Sequence, residues 1–219
     1  MNFIERVAGV IVKPDSTMKD IIKEPRIEEP ILILGAYTIL MVLATYVSLS
    51  KTVYVGEISG VDASGFGTLI MLSSIAFAAI FIIIGWPLLT VIFHLISMFF
   101  GGDGKIYPNM LTGVGYMNVP QIIIGVLYLI VAFLQPSTVI DLGDPTAAAA
   151  ATTSIYTVLS MAISAIGLLW GGYVAAQAVK HGEKLSMRNS IIVVFVPIVL
   201  YLLFTYASLI LTLLMPTGA

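Results

Sequence analysis

The 219-residue chain has no cysteine, two histidines and little charge: 10 Lys and Arg against 12 Asp and Glu. Without cysteine, disulfides, thiol catalysis and cysteine-ligated metal sites are excluded, and the redox compartment is not legible. His94 and His181 alone cannot build a multi-histidine metal site. The shortage of charge excludes an ordinary soluble domain, which carries about 25% charged residues. Here the figure is 10%, beside 59% hydrophobic residues and a mean hydropathy of +1.05, so the polar surface that water requires is missing. The net charge of −2 says little, because position matters more than sum in a membrane protein.

The charges are clustered as well as scarce. Uncharged stretches run over 30–50, 63–102, 106–140, 145–179 and 189–219. Each is long enough for a membrane helix, which needs about 20 mainly apolar residues. Spans are expected at 31–50, 67–100, 110–134, 153–179 and 190–214. The runs lack polar alternation, so helices are the elements expected. The expected fold is all-α: a polytopic membrane helical bundle of five transmembrane helices, with short interfacial N-terminal helices. Arg6, Lys13, Lys19, Lys23, Arg26, Lys105, Lys180, Lys184 and Arg188 fall on one side of such a bundle and only Lys51 on the other. That asymmetry predicts a cytoplasmic N-terminus and an outside C-terminus, in the cell membrane. A cleavable signal peptide is not expected, because Glu5, Arg6 and Lys13 interrupt the first apolar stretch.

Residues 1–30 read as a cytoplasmic interfacial amphipathic segment. Phe3, Ile4, Val7, Val10 and Ile11 form a stripe at helical spacing, with Asn2, Glu5 and Arg6 placed off it. Pro14 stops that segment, and Asp15, Ser16 or Thr17 can cap a second helix in which Met18, Ile21 and Ile22 face together. Lying flat on headgroups is the favoured reading, docking against a partner the other. The second span is too long to stand upright, and Gly85-Trp86-Pro87 predicts a kink. Asp144, Pro145 and Ala147–Ala151 are a fitting helix start for the fourth.

Gly101-Gly102-Asp103-Gly104-Lys105 invites comparison with a phosphate-binding loop. A Walker-type loop needs Gly, four residues, then Gly-Lys-Ser/Thr, between a strand and a helix. Ile106 follows Lys105, Phe99 holds the upstream position, and a membrane helix precedes the loop, so three requirements fail. The glycines instead end one helix by supplying positive φ, and Pro108 starts the next. Intramembrane proteolysis finds no nucleophile-base pair or acidic pair within the spans. Glu28-Glu29 reads as two acids favoured by a helix N-terminal dipole. No catalytic residue, cofactor or metal is expected, and no nucleic-acid partner.

Polar residues inside the spans are His94, Asn118, Gln121, Gln135 and Gln177. His94 and Asn118 stand at similar depth on either side of the turn, so they can meet across the hairpin. Two readings follow: interhelical hydrogen bonds of about 1 kcal/mol, which is favoured, or a ligand site lined by His94, Tyr116, Asn118 and Gln121. Gly167, Gly171 and Ala175, extended by Ser160 and Ser164, form a small-residue stripe that serves packing within the chain or between copies.

The segments H-L-I-S-M-F-F-G-G and G-V-G-Y-M-N-V-P, joined by a short turn, resemble the Ypt-interacting-protein (Yip) family of five-span membrane proteins. An upstream K-P-D-S-T-M-K-D-I agrees with this, and residues 31–219 would be the Yip-like domain. The matching positions are His94, Gly101, Gly102, Tyr116 and Pro120. The resemblance implies a helical bundle without known catalysis. In eukaryotic relatives it implies association with Rab-type GTPases, and with one another, in traffic between endoplasmic reticulum and Golgi. Those relatives carry a longer cytosolic N-terminal region, which puts GTPase binding in doubt, so a prokaryotic member of undefined function is expected. The expected role is a membrane adaptor or membrane-organising protein, with the bilayer, a protein at the cytoplasmic face and a second copy as partners. A small transporter or channel around His94, Asn118 and Gln121 is the alternative.

Overall fold

The computed structural model describes residues 1–58, 61–141 and 154–214. In chain order it contains α1 (Phe3–Val12), α2 (Pro14–Lys23), α3 (Glu28–Ser50), α4 (Ala63–Met98), a short α5 (Leu111–Gly115), α6 (Asn118–Leu134), α7 (Ile155–Gly182) and α8 (Met187–Leu214). Five stretches are long and apolar enough to cross a membrane: Glu28–Ser50, Gly67–Phe99, Ile106–Leu134, Ile155–Gly182 and Met187–Ala207. The five-span helical bundle expected from the charge-free runs is therefore what forms. Its outer surface is apolar, with Phe81, Leu88 and Phe204 well exposed. In water such a surface would be a liability; in lipid it faces its own solvent.

The best-packed region lies at one end of the bundle, where Phe93, Met110, Tyr116, Val174 and Val193 are buried together with Val10, Met18 and Ile21 from the first two helices. That end is called the cap end, and the opposite one the distal end. The first two helices do not stand apart from the spans. Val10, Met18 and Ile21 are fully buried, and α2 packs on α7. Asn2 caps α1 through a reciprocal pair with Glu5, and Pro14 occupies the first position of α2, which starts before Asp15. The stripe is also rotated from the expected one. Ile4 is 76% exposed, whereas Arg6, expected off the stripe, is fully buried. Arg6 stands three residues after Phe3 and four before Val10, which places the three on one helix face.

Pro87 sits inside the continuous α4. It offers no N–H to the Ile83 carbonyl, while Thr90 Oγ1 donates to the Trp86 carbonyl at 2.9 Å. The Trp86 indole in turn donates to the Leu111 carbonyl at 2.8 Å, tying α4 to α5. Beyond Met98 the helix closes as the glycines predict. Gly101 has φ +81°, its N–H bonds to the Met98 carbonyl, and the Gly102 N–H bonds to the Ser97 carbonyl. This is a Schellman motif.

Short strands, absent from the sequence reading, lie outside the spans: β1 (Thr52–Val55), β2 (Glu57–Ile58), β3 (Val61–Asp62) and β4 (Thr138–Asp141). β1 and β4 pair in parallel from Thr52–Thr138 to Val55–Asp141, and β2 pairs antiparallel with β3. The cause is the close packing of α3 and α6, which run the same way and end together at the distal end. Lys51 Nζ donates to the carbonyls of Phe133 and Gln135 at 2.6 and 2.8 Å, satisfying carbonyls that the end of α6 leaves open. The helix start expected at Asp144, Pro145 and Ala147–Ala151 lies outside the described residues; α7 is described from its cap, Ser154, which accepts from the Tyr156 N–H.

Candidate functional site

Two buried carboxylates organise the cap end; the sequence marks one only as a helix N-terminal acid and does not mark the other. The first is Glu29, in the opening turn of α3 and 4% exposed. Arg6 Nη1 donates to Glu29 Oε2 at 3.0 Å and to the Glu24 carbonyl at 3.0 Å. The Tyr116 hydroxyl, between α5 and α6, donates to the same carboxylate oxygen. Arg26 Nη1 lies 3.6 Å from the other oxygen, and Asp20 is 3.4 Å from Arg6 Nη2. Burial opposes the charge of Arg6, but the bond and field of Glu29 outweigh it and hold the guanidinium above its ordinary value. One oxygen atom thus joins α1, α3 and the start of α6. A buried pair of this kind adds little net stability over an apolar packing, yet removing one partner strands the other.

The second is Glu183, at the C-terminal end of α7 and fully buried. Its Oε1 is 2.7 Å from His94 Nδ1 and its Oε2 accepts the Gly104 N–H at 2.9 Å. Gly104 lies so close that an added Cβ would stand 2.1 Å from the Gly182 carbonyl oxygen. The glycine-rich turn therefore does hold an anionic group, and that group is the chain's own. Glycine is required there because the loop backbone closes onto α7. Outside this contact Lys184 Nζ bridges to Asp103 at 3.0 Å. Asp15 on α2 meets Lys180 at 2.6 Å and His181 at 2.8 Å, and these bonds, Lys180's first, hold its carboxyl below the usual range.

The polar residues foreseen as a cluster have separate partners. His94 joins Glu183 and Tyr116 joins Glu29. Asn118 Nδ2 donates to the Gly115 carbonyl at 3.0 Å, and Gln121 Nε2 to the Gly167 carbonyl at 2.7 Å. No hydrogen bond joins His94 to Asn118 among the described residues. Asn118 and Gln121 do line one cavity with Trp86, whereas His94 and Tyr116 do not line it. Pro120 is buried in the first turn of α6, where its missing N–H costs nothing. Gly167 and Gly171 face α6: added Cβ atoms would meet Gln121 Oε1 and the Met117 carbonyl at 2.9 Å each. Ala175 is fully buried on the same helix. The small-residue stripe is thus occupied by packing within the chain.

The burial and pairing of Arg6, Glu29 and Glu183 are not legible in the sequence, because each lies outside the apolar runs. A signal existed for Arg6 alone, in its spacing from Phe3 and Val10.

A family model described as Yip1 domain matches residues 8–209. The chain belongs to the Yip1 domain family. Glu29, His94, Tyr116 and Glu183 fall inside the matched region of this Yip1 protein, and Arg6 falls just before it. The chain is also similar to an uncharacterized protein of Methanocaldococcus jannaschii, 28% identical over 134 residues, which is 61% of this chain and 89% of the relative. That relative is archaeal, which fits the expected prokaryotic membership. No solved structure matches the chain. Family and spans together make it a multi-pass membrane protein whose surroundings are the lipid bilayer.

Proposed function

We propose that this Yip1 protein is a non-enzymatic membrane adaptor whose first two helices form a rigid cytoplasmic platform. The observation that carries the reading is the buried Arg6–Glu29–Tyr116 node. It fixes α1 and α2 to the bundle, so the charged outer face they carry is held in one orientation. That face presents Glu5, Lys13, Lys19, Lys23 and Glu24, with Ile4 and Val12 exposed between charges. A preorganised surface of mixed charge and isolated apolar side chains suits a protein partner, because the ordering cost of binding is already met by the fold.

The transporter alternative draws less support. It needs His94, Asn118 and Gln121 on one wetted path, and His94 is occupied by Glu183 away from the cavity that holds the two amides. The test is partner recovery from native membranes with tagged protein. Deleting residues 1–30 would expose the core, so outer-face variants are the informative ones. Lys19→Glu with Lys23→Glu is expected to lose the partner at unchanged thermal stability. Recovery of the same partner by that variant, or of none by the parent protein, would overturn the platform reading.

A further inference from the structure

Two cavities inside the bundle adjoin each other, sharing Met41 and Tyr128 as wall residues. Each is partly open and has a volume of about 320 Å³. One begins at Met117 on α6 and the other ends at Gln135, a rise of about 27 Å at 1.5 Å per residue. The hydrocarbon layer is about 30 Å thick, so the combined space runs along most of it. Unfilled space of this size forfeits the dispersion contacts that normally line a core, and bilayer chains are the molecules at hand to supply them.

The walls say what kind of molecule fits. Among the described residues no charged side chain lines either cavity, which excludes an ion or a charged headgroup within the space. Several polar donors on the walls are already engaged: Gln121 with Gly167, Asn118 with Gly115, Tyr128 with the Ser160 carbonyl at 3.1 Å, and Ser48 with Gln135, while Thr45, Ser74, Ser160 and Ser164 add small hydroxyls. Tyr37 on α3 and the half-exposed Tyr201 on α8 also line the cavity nearer the cap, and among the described residues neither hydroxyl has a hydrogen-bond partner. Free donors at mid-height call for an acceptor. α4 closes the remaining side and is the least buried of the spans, with Phe81 both on the cavity wall and 71% exposed, so a way in from the bilayer lies beside it.

We infer that this space is a binding site for a neutral, long-chain lipid, its carbonyl oxygen accepting from Tyr37 and Tyr201 and its hydrocarbon chain lying past Met41 and Tyr128 toward Gln135. This goes beyond the adaptor reading and does not depend on it. The site is defined by shape, by absence of charge and by the two unpaired tyrosine hydroxyls, three properties that a lipid ester or ketone satisfies together.

The experiment uses the full chain in lipid nanodiscs and a diazirine-bearing palmitate methyl ester as photoprobe, with a diazirine-bearing hydrocarbon of equal length as control. Peptide mapping is expected to place the ester's adducts on the α3, α6 and α8 segments that carry Tyr37, Tyr128 and Tyr201. Tyr37→Phe with Tyr201→Phe keeps the wall shape and is expected to reduce ester labelling several-fold without moving the melting temperature. Ester adducts confined to the outer faces of the helices would overturn the site. Equal labelling by the hydrocarbon probe, or ester labelling unmoved by the double Phe variant, would overturn recognition of the carbonyl.

Discussion

The Arg6 guanidinium and the Glu29 carboxylate meet at 3.0 Å with less than a twentieth of either residue exposed, across 23 residues of sequence. Because both charges are buried, the consequence of breaking the pair is larger than the worth of the pair itself.

Arg6→Met is therefore expected to destabilise the protein by about 3–5 kcal/mol, since Glu29 would stay buried without its closest cation. Arg6→Met combined with Glu29→Leu should recover most of that loss. Thermal unfolding in detergent checks both, and a double variant as unstable as the single one would refute the account. Protease sensitivity of the first 30 residues should follow the same order.

At the turn, two glycines are expected to fail differently. Gly101→Ala forces a side chain into φ +81°, at a cost of about 1–2 kcal/mol and nothing more. Gly104→Ala pushes a methyl against the Gly182 carbonyl and displaces the N–H that Glu183 accepts. It should cost more than Gly101→Ala and should change the chemical shifts of the His94 ring, which the first variant leaves alone. Glu183→Leu, which leaves both donors unpaired, should resemble the Gly104 variant; Glu183→Gln should be milder.

How much of this was legible beforehand follows from which interactions repeat along the chain. The spans were, because a bilayer imposes one simple demand on some twenty consecutive residues, and charge-free runs record it. The helix stop at Gly101 was, because a positive φ has a residue preference of its own. The pairings were not. Glu183 lies just past its span and reads there as one more loop acid, and only the fold brings it 2.7 Å from His94, 89 residues away. Asn118 and Gln121 line one cavity, but their partners are backbone carbonyls, which every residue carries and no sequence distinguishes. Likewise the parallel β1–β4 pair depends on α3 and α6 ending at one level, a property of packing.

The Asp15 contact predicts a pH dependence confined to the attachment of α2. Its carboxyl is held below the ordinary value by Lys180 and His181, so the folded group titrates lower than the unfolded one. The stabilisation is then complete above the unfolded pKa of about 3.9 and disappears as pH falls through the lower folded value. Asp15 is largely exposed, so the effect belongs in the range of surface pairs, about 0.2–1 kcal/mol. Amide exchange in α2 should quicken between pH 5 and pH 2 relative to α7, and Asp15→Asn should remove the pH-dependent part. Identical profiles for parent and variant would reject the assignment.

The last prediction concerns which way the bundle sits. The Asp103–Lys184 and Asp15–Lys180 bridges place loop and N-terminal cations together at the cap end, while Lys51 sits at the distal end against the carbonyls of Phe133 and Gln135. The nine-to-one division of Lys and Arg counted along the chain is thus a division between two ends of one folded object. Cationic loops are retained on the cytoplasmic side during insertion, so the cap end is expected to face the cytoplasm. A reporter active only in the cytoplasm should work when fused after Asp103 and fail after Gln135, and one active only outside should show the opposite. Charge should also govern the result: changing Lys180, Lys184 and Arg188 to Gln while adding lysines beside Lys51 is expected to produce a mixed population. Cytoplasmic activity at Gln135 in the parent protein would invert the bundle and move the proposed adaptor platform to the other side of the membrane.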